Sequence, residues 1–263
     1  MDLKLKGKRA LVSGSTAGIG RAIATSLAKE GARVIINGRK ESDVTQAVAE
    51  LKEATGGEVI GFAGDLSLAS AAEELAKRHP YVEILVNNLA TFEVKPFEEI
   101  SDADWLRTFD VNVISGIRLS RSFLPAMMRA NWGRIIFISS ESAIQVPAEI
   151  IHYGASKAAQ IAAARGLAET LKGTGITVNS ILPGPTKSRA MGQFIDTMAE
   201  AQGVTSQDVE EEFFKNVRPS SILQRFASSE EVASLVAYIA SPLSSATTGA
   251  PLRVDGGVLT SAF

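Results

Sequence analysis

The sequence predicts an α/β fold, a doubly wound parallel sheet of about seven strands with helices on both faces, in one domain spanning residues 1–263. Two observations carry this. Short β-rich apolar runs alternate with longer helical patterns from end to end, as βαβ units require. No Pro/Gly/Ser-rich linker or charge run divides the chain.

The strands fall at residues 9–13, 33–37, 59–63, 84–87, 134–139, 176–182 and 251–254, where Ile, Val, Leu and Phe dominate runs too short for buried helices. Between them, residues 19–30 place Ile19, Ile23 and Leu27 on one helical face, and Gly31 is a left-handed stop. After the sixth strand the rhythm breaks. Residues 184–223 read as irregular helix punctuated by Gly192, Gly203 and Pro219. This stretch follows the carboxyl edge of the sheet, where doubly wound folds bind ligands, and it reads as a substrate lid at about 186–222.

The net charge of −2 gives no basic field for nucleic acid. With no cysteine there is neither a disulfide framework nor a thiolate site, and His79 and His152 lack partners at metal-ligand spacing. No apolar run reaches membrane-spanning length and the start shows no signal-peptide core, so a soluble cytoplasmic protein is expected. His152 reads as a passive surface residue, and Trp105 and Trp132 as packing residues.

The first strand runs into Ser13-Gly14-Ser15-Thr16-Ala17-Gly18-Ile19-Gly20 and then a helix. Glycines let a backbone turn tightly against a pyrophosphate, and the helix start offers free N–H groups. The second strand ends in Asn37-Gly38-Arg39-Lys40. An acid there would accept from a ribose 2′-hydroxyl; its absence, with Arg39 present, favours a 2′-phosphate. Tyr153 and Lys157 stand four apart, on one helical face. An ammonium beside a phenol should lower its pKa and make a general acid/base.

These motifs together resemble the short-chain dehydrogenase/reductase family, including its 3-oxoacyl-acyl-carrier-protein-reductase-like members. The chain carries that family's Tyr-x-x-x-Lys pair and glycine loop, with Asp65, Asn87-Asn88, Asn112, Ser140, Pro183-Gly184 and the closing Val254-Asp255-Gly256-Gly257 in the family's order. The resemblance implies a Rossmann-type fold and NADP(H). The coenzyme would be held by Gly14, Ser15, Thr16, Gly18, Ile19, Gly20, Asn37, Arg39, Asp65, Leu66, Asn88, Tyr153, Lys157, Pro183, Gly184 and Thr186. It also implies a catalytic tetrad. Tyr153 transfers the proton, Ser140 bonds the substrate oxygen, and Lys157 holds the nicotinamide ribose. Asn112 anchors a water leading to the lysine. Ser139 and Ser142 compete with Ser140, whose separation from Tyr153 fits the family. Ser13, Leu89-Ala90 and Ser188 depart from the usual Thr, Ala-Gly and Thr, and Leu89 adds bulk beside the coenzyme.

The implied activity is hydride transfer between nicotinamide and a carbonyl or secondary alcohol. Rival readings are a coenzyme-binding regulator without turnover and a non-redox lyase or epimerase on the same fold. The implied assembly is a homotetramer, pairing long helices at 104–129 and 153–171. An acidic carrier protein would call for a basic patch. The lid instead mixes Lys187, Arg189, Lys215 and Arg218 with Asp208, Glu210, Glu211 and Glu212. Its Met191, Phe194, Ile195, Met198, Phe213 and Phe214 suit an uncharged, fairly hydrophobic small molecule.

Overall fold

The computed structural model describes residues 1–262, with Arg189 and Ala190 described by backbone alone, so the Arg189 side chain lies outside the described set. The first half alternates β1 (Arg9–Val12), α1 (Gly18–Lys29), β2 (Arg33–Gly38), α2 (Glu41–Thr55), β3 (Val59–Ala63), α3 (Ala69–Arg78) and β4 (Ile84–Asn87). Then come α4 (Asp102–Phe109), a π-helical turn (Asp110–Ile114), α5 (Ser115–Ala130), β5 (Gly133–Ile138), α6 (Ile151–Thr170) and β6 (Ile176–Pro183). The last part holds β7 (Thr186–Lys187), α7 (Arg189–Gln202), α8 (Ser206–Asn216), β8 (Ala227–Ser228), α9 (Ser229–Ala240) and β9 (Pro251–Val254).

Seven strands form one parallel sheet in the order β3-β2-β1-β4-β5-β6-β9. Strand pleating sends alternate side chains to opposite faces. Ala10 and Val12, Val34 and Ile36, and Ile136 and Ile138 therefore join α1, α2 and α9 in one core. Leu11, Ile35, Ile135 and Phe137 join α3, α5 and α6 in the other. Both faces are covered, which is why the central strands β1, β4 and β5 read as nearly continuous apolar runs. Helix α1 buries Ile23 and Leu27 and ends as the sequence indicates. Gly31 adopts φ +83°, its N–H bonds the Ala28 carbonyl at 2.9 Å, and the Ala32 N–H bonds that of Leu27 at 3.0 Å.

The order reverses between β1 and β4, which opens a crevice at the carboxyl ends of these strands. Beyond β6, α7 and α8 form a helical hairpin with a small core of its own, Ile195 and Phe214 packed on Phe226. Gly203 ends α7 in the left-handed region, as read, whereas Gly192 lies inside α7 and interrupts nothing. Ile195 and Phe214, expected to meet substrate, are buried in that core instead, because a two-helix excursion must cover its own apolar face. The β7–β8 pairing, two residues long, carries no apolar run and was not expected.

Candidate active site

The glycine loop is fixed before any ligand is considered. Asn88, at the exit of β4, donates through Nδ2 to the Ser13 and Gly14 carbonyls at 3.0 Å each, and its N–H donates to Ser13 Oγ at 2.9 Å. A Cβ on Gly20 would lie 2.5 Å from both the Gly14 oxygen and Asn88 Nδ2, so only glycine admits this packing. Asn37 donates to the Phe62 and Gly64 carbonyls and accepts from the Gly14 N–H at 3.1 Å. Ser15 Oγ donates to the Val12 carbonyl at 2.6 Å and accepts from the Asn37 N–H. Asn37 and Ser15, expected to touch the coenzyme, are thus buried braces of the loop, their side-chain donors engaged within the protein. Leu66 is likewise core, and Asp65 closes a turn on Ser67.

What remains free has the chemistry of an anion site. Helix α1 starts at Gly18 with neither a side-chain cap nor an acidic residue in its first turn. Thr16 is partly exposed, and Arg39 is exposed with no ion pair or hydrogen bond among the described residues. Uncapped N–H groups, a hydroxyl and a free guanidinium fit a pyrophosphate and a ribose 2′-phosphate. At the far side of the crevice, a Cβ on Gly184 would strike the Asp255 carbonyl at 2.5 Å, and Thr186 Oγ1 donates to the Gly184 oxygen.

The tetrad converges from three elements. Strand β5 delivers Ser139 and Ser140, α6 delivers Tyr153 and Lys157, and the π-helical turn delivers Asn112. Widened turns of this kind occur often at functional sites. Ser140 lies close enough to the Tyr153 hydroxyl to pull the phenol's pKa down, while its own hydroxyl donates to Glu141. Ser139 Oγ instead donates to the Lys157 carbonyl at 2.8 Å, and Ser142 donates its N–H to Ser140 Oγ at 3.1 Å. The geometry thus separates the three serines, and Ser140 alone faces the phenol. Lys157 Nζ lies 5.5 Å from the Tyr153 ring centre and donates to the Ile138 carbonyl at 2.8 Å.

Burial sets the charge states. It pushes the Tyr153 phenol up to about 12, against a lowering by Ser140, with Glu141 raising it further. It also brings the Lys157 ammonium down to about 7. The lowered tyrosine pKa anticipated from the Tyr–Lys pair is therefore not found. A desolvated lysine that titrates near neutrality is too weak a cation to offset the phenol's own burial.

Asn112 is held on every side. Its Nδ2 donates to the Thr91 carbonyl at 3.0 Å and Ser156 Oγ at 2.9 Å, and its Oδ1 accepts from the Thr91 N–H at 2.7 Å. Gln160 donates to its carbonyl. Ser156 and Gln160 escaped the sequence reading; their only signal is an i, i+4 spacing on α6, shared with His152. His152, read as a surface residue, is fully buried with its ring edge on Trp105 at 6.1 Å. Glu141 was also missed. It is buried beside Ser140 and accepts from Ser140 Oγ at 2.6 Å.

A family model described as enoyl-(acyl carrier protein) reductase matches residues 14–259. The chain is 46% identical to the uncharacterized oxidoreductase YvaG of Bacillus subtilis, with both chains covered in full. It is 33% identical to the 3-oxoacyl-[acyl-carrier-protein] reductase FabG of Aquifex aeolicus, over 98% of this chain and 100% of the other. Among solved structures, L-sorbose reductase from Gluconobacter frateurii, complexed with NADPH and L-sorbose, superposes with a TM-score of 0.93 at 29% identity, covering 99% of this chain and 100% of that one. With the tetrad gathered at the carboxyl edge of the sheet and this family match, the chain belongs to the short-chain dehydrogenase/reductase family.

Proposed function

We propose that the protein is an NADP(H)-dependent oxidoreductase that moves a hydride between nicotinamide and the carbonyl carbon of a small ketone, aldehyde or secondary alcohol. The convergence of Ser140, Tyr153 and Lys157 at the exit of β5 carries this reading. When bound, the coenzyme supplies the hydride.

The chain's residues do the rest. Ser140 and the Tyr153 hydroxyl hold the carbonyl oxygen, and Tyr153 gives it a proton as negative charge builds there. A phenol near 12 stays protonated throughout the neutral range, the form that reduction uses. Lys157 bonds the nicotinamide ribose and returns a proton toward Tyr153. A water on the Asn112 carbonyl, which also accepts from Gln160, would feed Lys157. Arg39 and Thr16 take the 2′-phosphate, and the α1 N–H groups from Gly18 through Gly20 take the pyrophosphate. Asp65, Leu66, Asn88, Pro183, Gly184 and Thr186 would complete the residues that hold the coenzyme.

The test is NADPH oxidation measured over ketones, aldehydes, quinones, sugars and β-ketoacyl thioesters, with Tyr153→Phe as the control. NADPH consumption that depends on Tyr153 supports the reading; tight NADPH binding without consumption by any substrate would leave a coenzyme-binding regulator.

Residues 186–222 act in this reading as a lid that becomes protected from hydrogen exchange when ligand binds. A cytoplasmic homotetramer, paired through α4–α5 and α6, is the proposed assembly. Leu106 and Ile114 are exposed on the first of these and Gly166 faces open space on the second, so an apolar contact is available. Light scattering tests the assembly, and a monomer at micromolar concentration overturns it. Among the described residues no helix is long and apolar enough to cross a membrane.

A further inference from the structure

Glu141 follows Ser140 directly and is buried. Its Oε2 accepts the Ser140 hydroxyl at 2.6 Å, and its Oε1 faces Arg218 Nε at 3.4 Å. Arg218 arrives from the segment after α8, and its Nη1 donates to the Val217 carbonyl at 2.9 Å. Its Nη2 has no hydrogen-bond partner among the described residues. It lines a cleft of about 360 Å³ with Gln145, Glu149 and Asn216.

For carbonyl reduction this placement is a handicap. A carboxylate one hydrogen bond from Ser140 repels the charge that develops on the substrate oxygen, competes for the serine proton and raises Tyr153 further. A purely structural clamp explains it poorly. The Arg218 contact is long and single where a strong pair would be short and bidentate, and such buried pairs seldom outperform apolar packing. A carboxylate only accepts hydrogen bonds. Ser140 and Arg218 use one acceptor site on each oxygen, and a donor on the substrate, close to the carbonyl oxygen that Ser140 holds, would meet another. A hydroxyl on the carbon next to the carbonyl lies there.

We propose that Glu141, offset by Arg218, makes this site selective for neutral α-hydroxycarbonyl compounds, with Arg218 Nη2 and the polar cleft taking hydroxyls farther along the chain. This rests on the reductase reading above and departs from the hydrophobic substrate that the lid sequence suggests. An α-keto acid is disfavoured because its carboxylate would face Glu141.

The experiment compares kcat/KM for hydroxyacetone, methoxyacetone, acetone and pyruvate at saturating NADPH. Methoxyacetone carries the same electron-withdrawing oxygen as hydroxyacetone but has no proton to donate. Hydroxyacetone should exceed methoxyacetone by about tenfold or more, as expected of a hydrogen bond to a charged acceptor. In Glu141→Leu the ratio should fall toward one. Glu141→Gln, nearly isosteric and still an acceptor, covers the case in which the leucine variant does not fold; its ratio should be intermediate and its use of pyruvate improved. Equal use of hydroxyacetone and methoxyacetone by the wild type, or an unchanged ratio in both variants, overturns the proposal while leaving a reductase in place. Failure of all four ketones together with the wider substrate screen would remove the reductase reading and this proposal with it.

Discussion

The two ends of the sheet each bury a cation, and they treat it differently. At the amino end, Arg134 is 1% exposed and donates to the carbonyls of Gly133, Gly175 and Ser241 at 2.8, 3.1 and 3.2 Å. Its guanidinium lies 4.6 Å from the Trp132 ring centre, over which Lys8 also sits at 3.9 Å. Burial lowers its pKa only to about 10, so it stays charged at neutral pH. At the carboxyl end, Lys157 is equally buried, has one carbonyl acceptor and titrates near 7. Among the described residues, buried polar atoms without a partner also gather at this end, at Asn87 Oδ1, both His152 nitrogens and Gln160 Oε1. The Thr177 and Ser180 hydroxyls of β6 are unpartnered as well, and nothing in the structure explains them. The cation held for structure is given several acceptors; the one held for chemistry is left able to lose its proton.

The largest test of this contrast is at the carboxyl end. Tyr153→Phe should lower kcat by about 10²–10⁴-fold while leaving NADPH affinity nearly intact, because the hydroxyl moves a proton and little else. Lys157→Met should lose turnover and also weaken NADPH binding, since the lysine is assigned the ribose contact. Steady-state rates and fluorescence titration separate the two outcomes. A Tyr153→Phe enzyme with near wild-type kcat would end the mechanism.

Arg134→Met should show the opposite profile. The buried Gly133 and Ser241 carbonyls and the half-buried Gly175 carbonyl would each lose one donor, a loss of about 2–4 kcal/mol of stability. The folded fraction should keep its kcat. A fall in kcat with unchanged melting temperature would erase the distinction between the two ends.

How far each end could be read from sequence differs for the same reason. The strands were legible within a residue or two, because a strand buried on both faces must be apolar throughout. The residues of the tetrad were legible because their identities and spacing are local. The environment was not. That the Asn37 side chain also braces the glycine loop shows only once its partner, the carbonyl 25 residues on, is in place. His152 looks like surface until Trp105 covers it. Glu141 needs Arg218, 77 residues on, before it reads as anything but a charge in a loop. Protonation follows from burial by distant elements, so the Tyr153 phenol is raised where the neighbouring lysine alone would lower it.

Coenzyme choice is the next largest effect. Arg39 is exposed and unpaired among the described residues, so replacing it should leave the fold untouched. Arg39→Asp should weaken NADPH binding by about 10- to 150-fold, equivalent to about 1.5–3 kcal/mol, and leave NADH equal or better. Equal losses for both coenzymes would place the 2′-phosphate elsewhere.

The smallest effect compares the two cations directly, through the pH dependence of stability in coenzyme-free protein. Lys157 falls from 10.5 when unfolded to about 7 when folded. Between these values the unfolded chain holds a proton that the folded chain has released, so stability rises with pH. The slope is at most about 1.4 kcal/mol per pH unit. The window is best kept to about pH 7–9.5. Above it Tyr153, raised to about 12, and Arg134, lowered to about 10, begin to titrate with opposite signs. Below it the lowered His79 intervenes. The melting temperature of wild type minus that of Lys157→Met should climb across the window, while wild type minus Arg134→Met should stay level, because Arg134 remains charged throughout. A level difference for Lys157→Met would mean that the lysine keeps its proton when buried. The carboxyl end would then hold its cation as firmly as the amino end does.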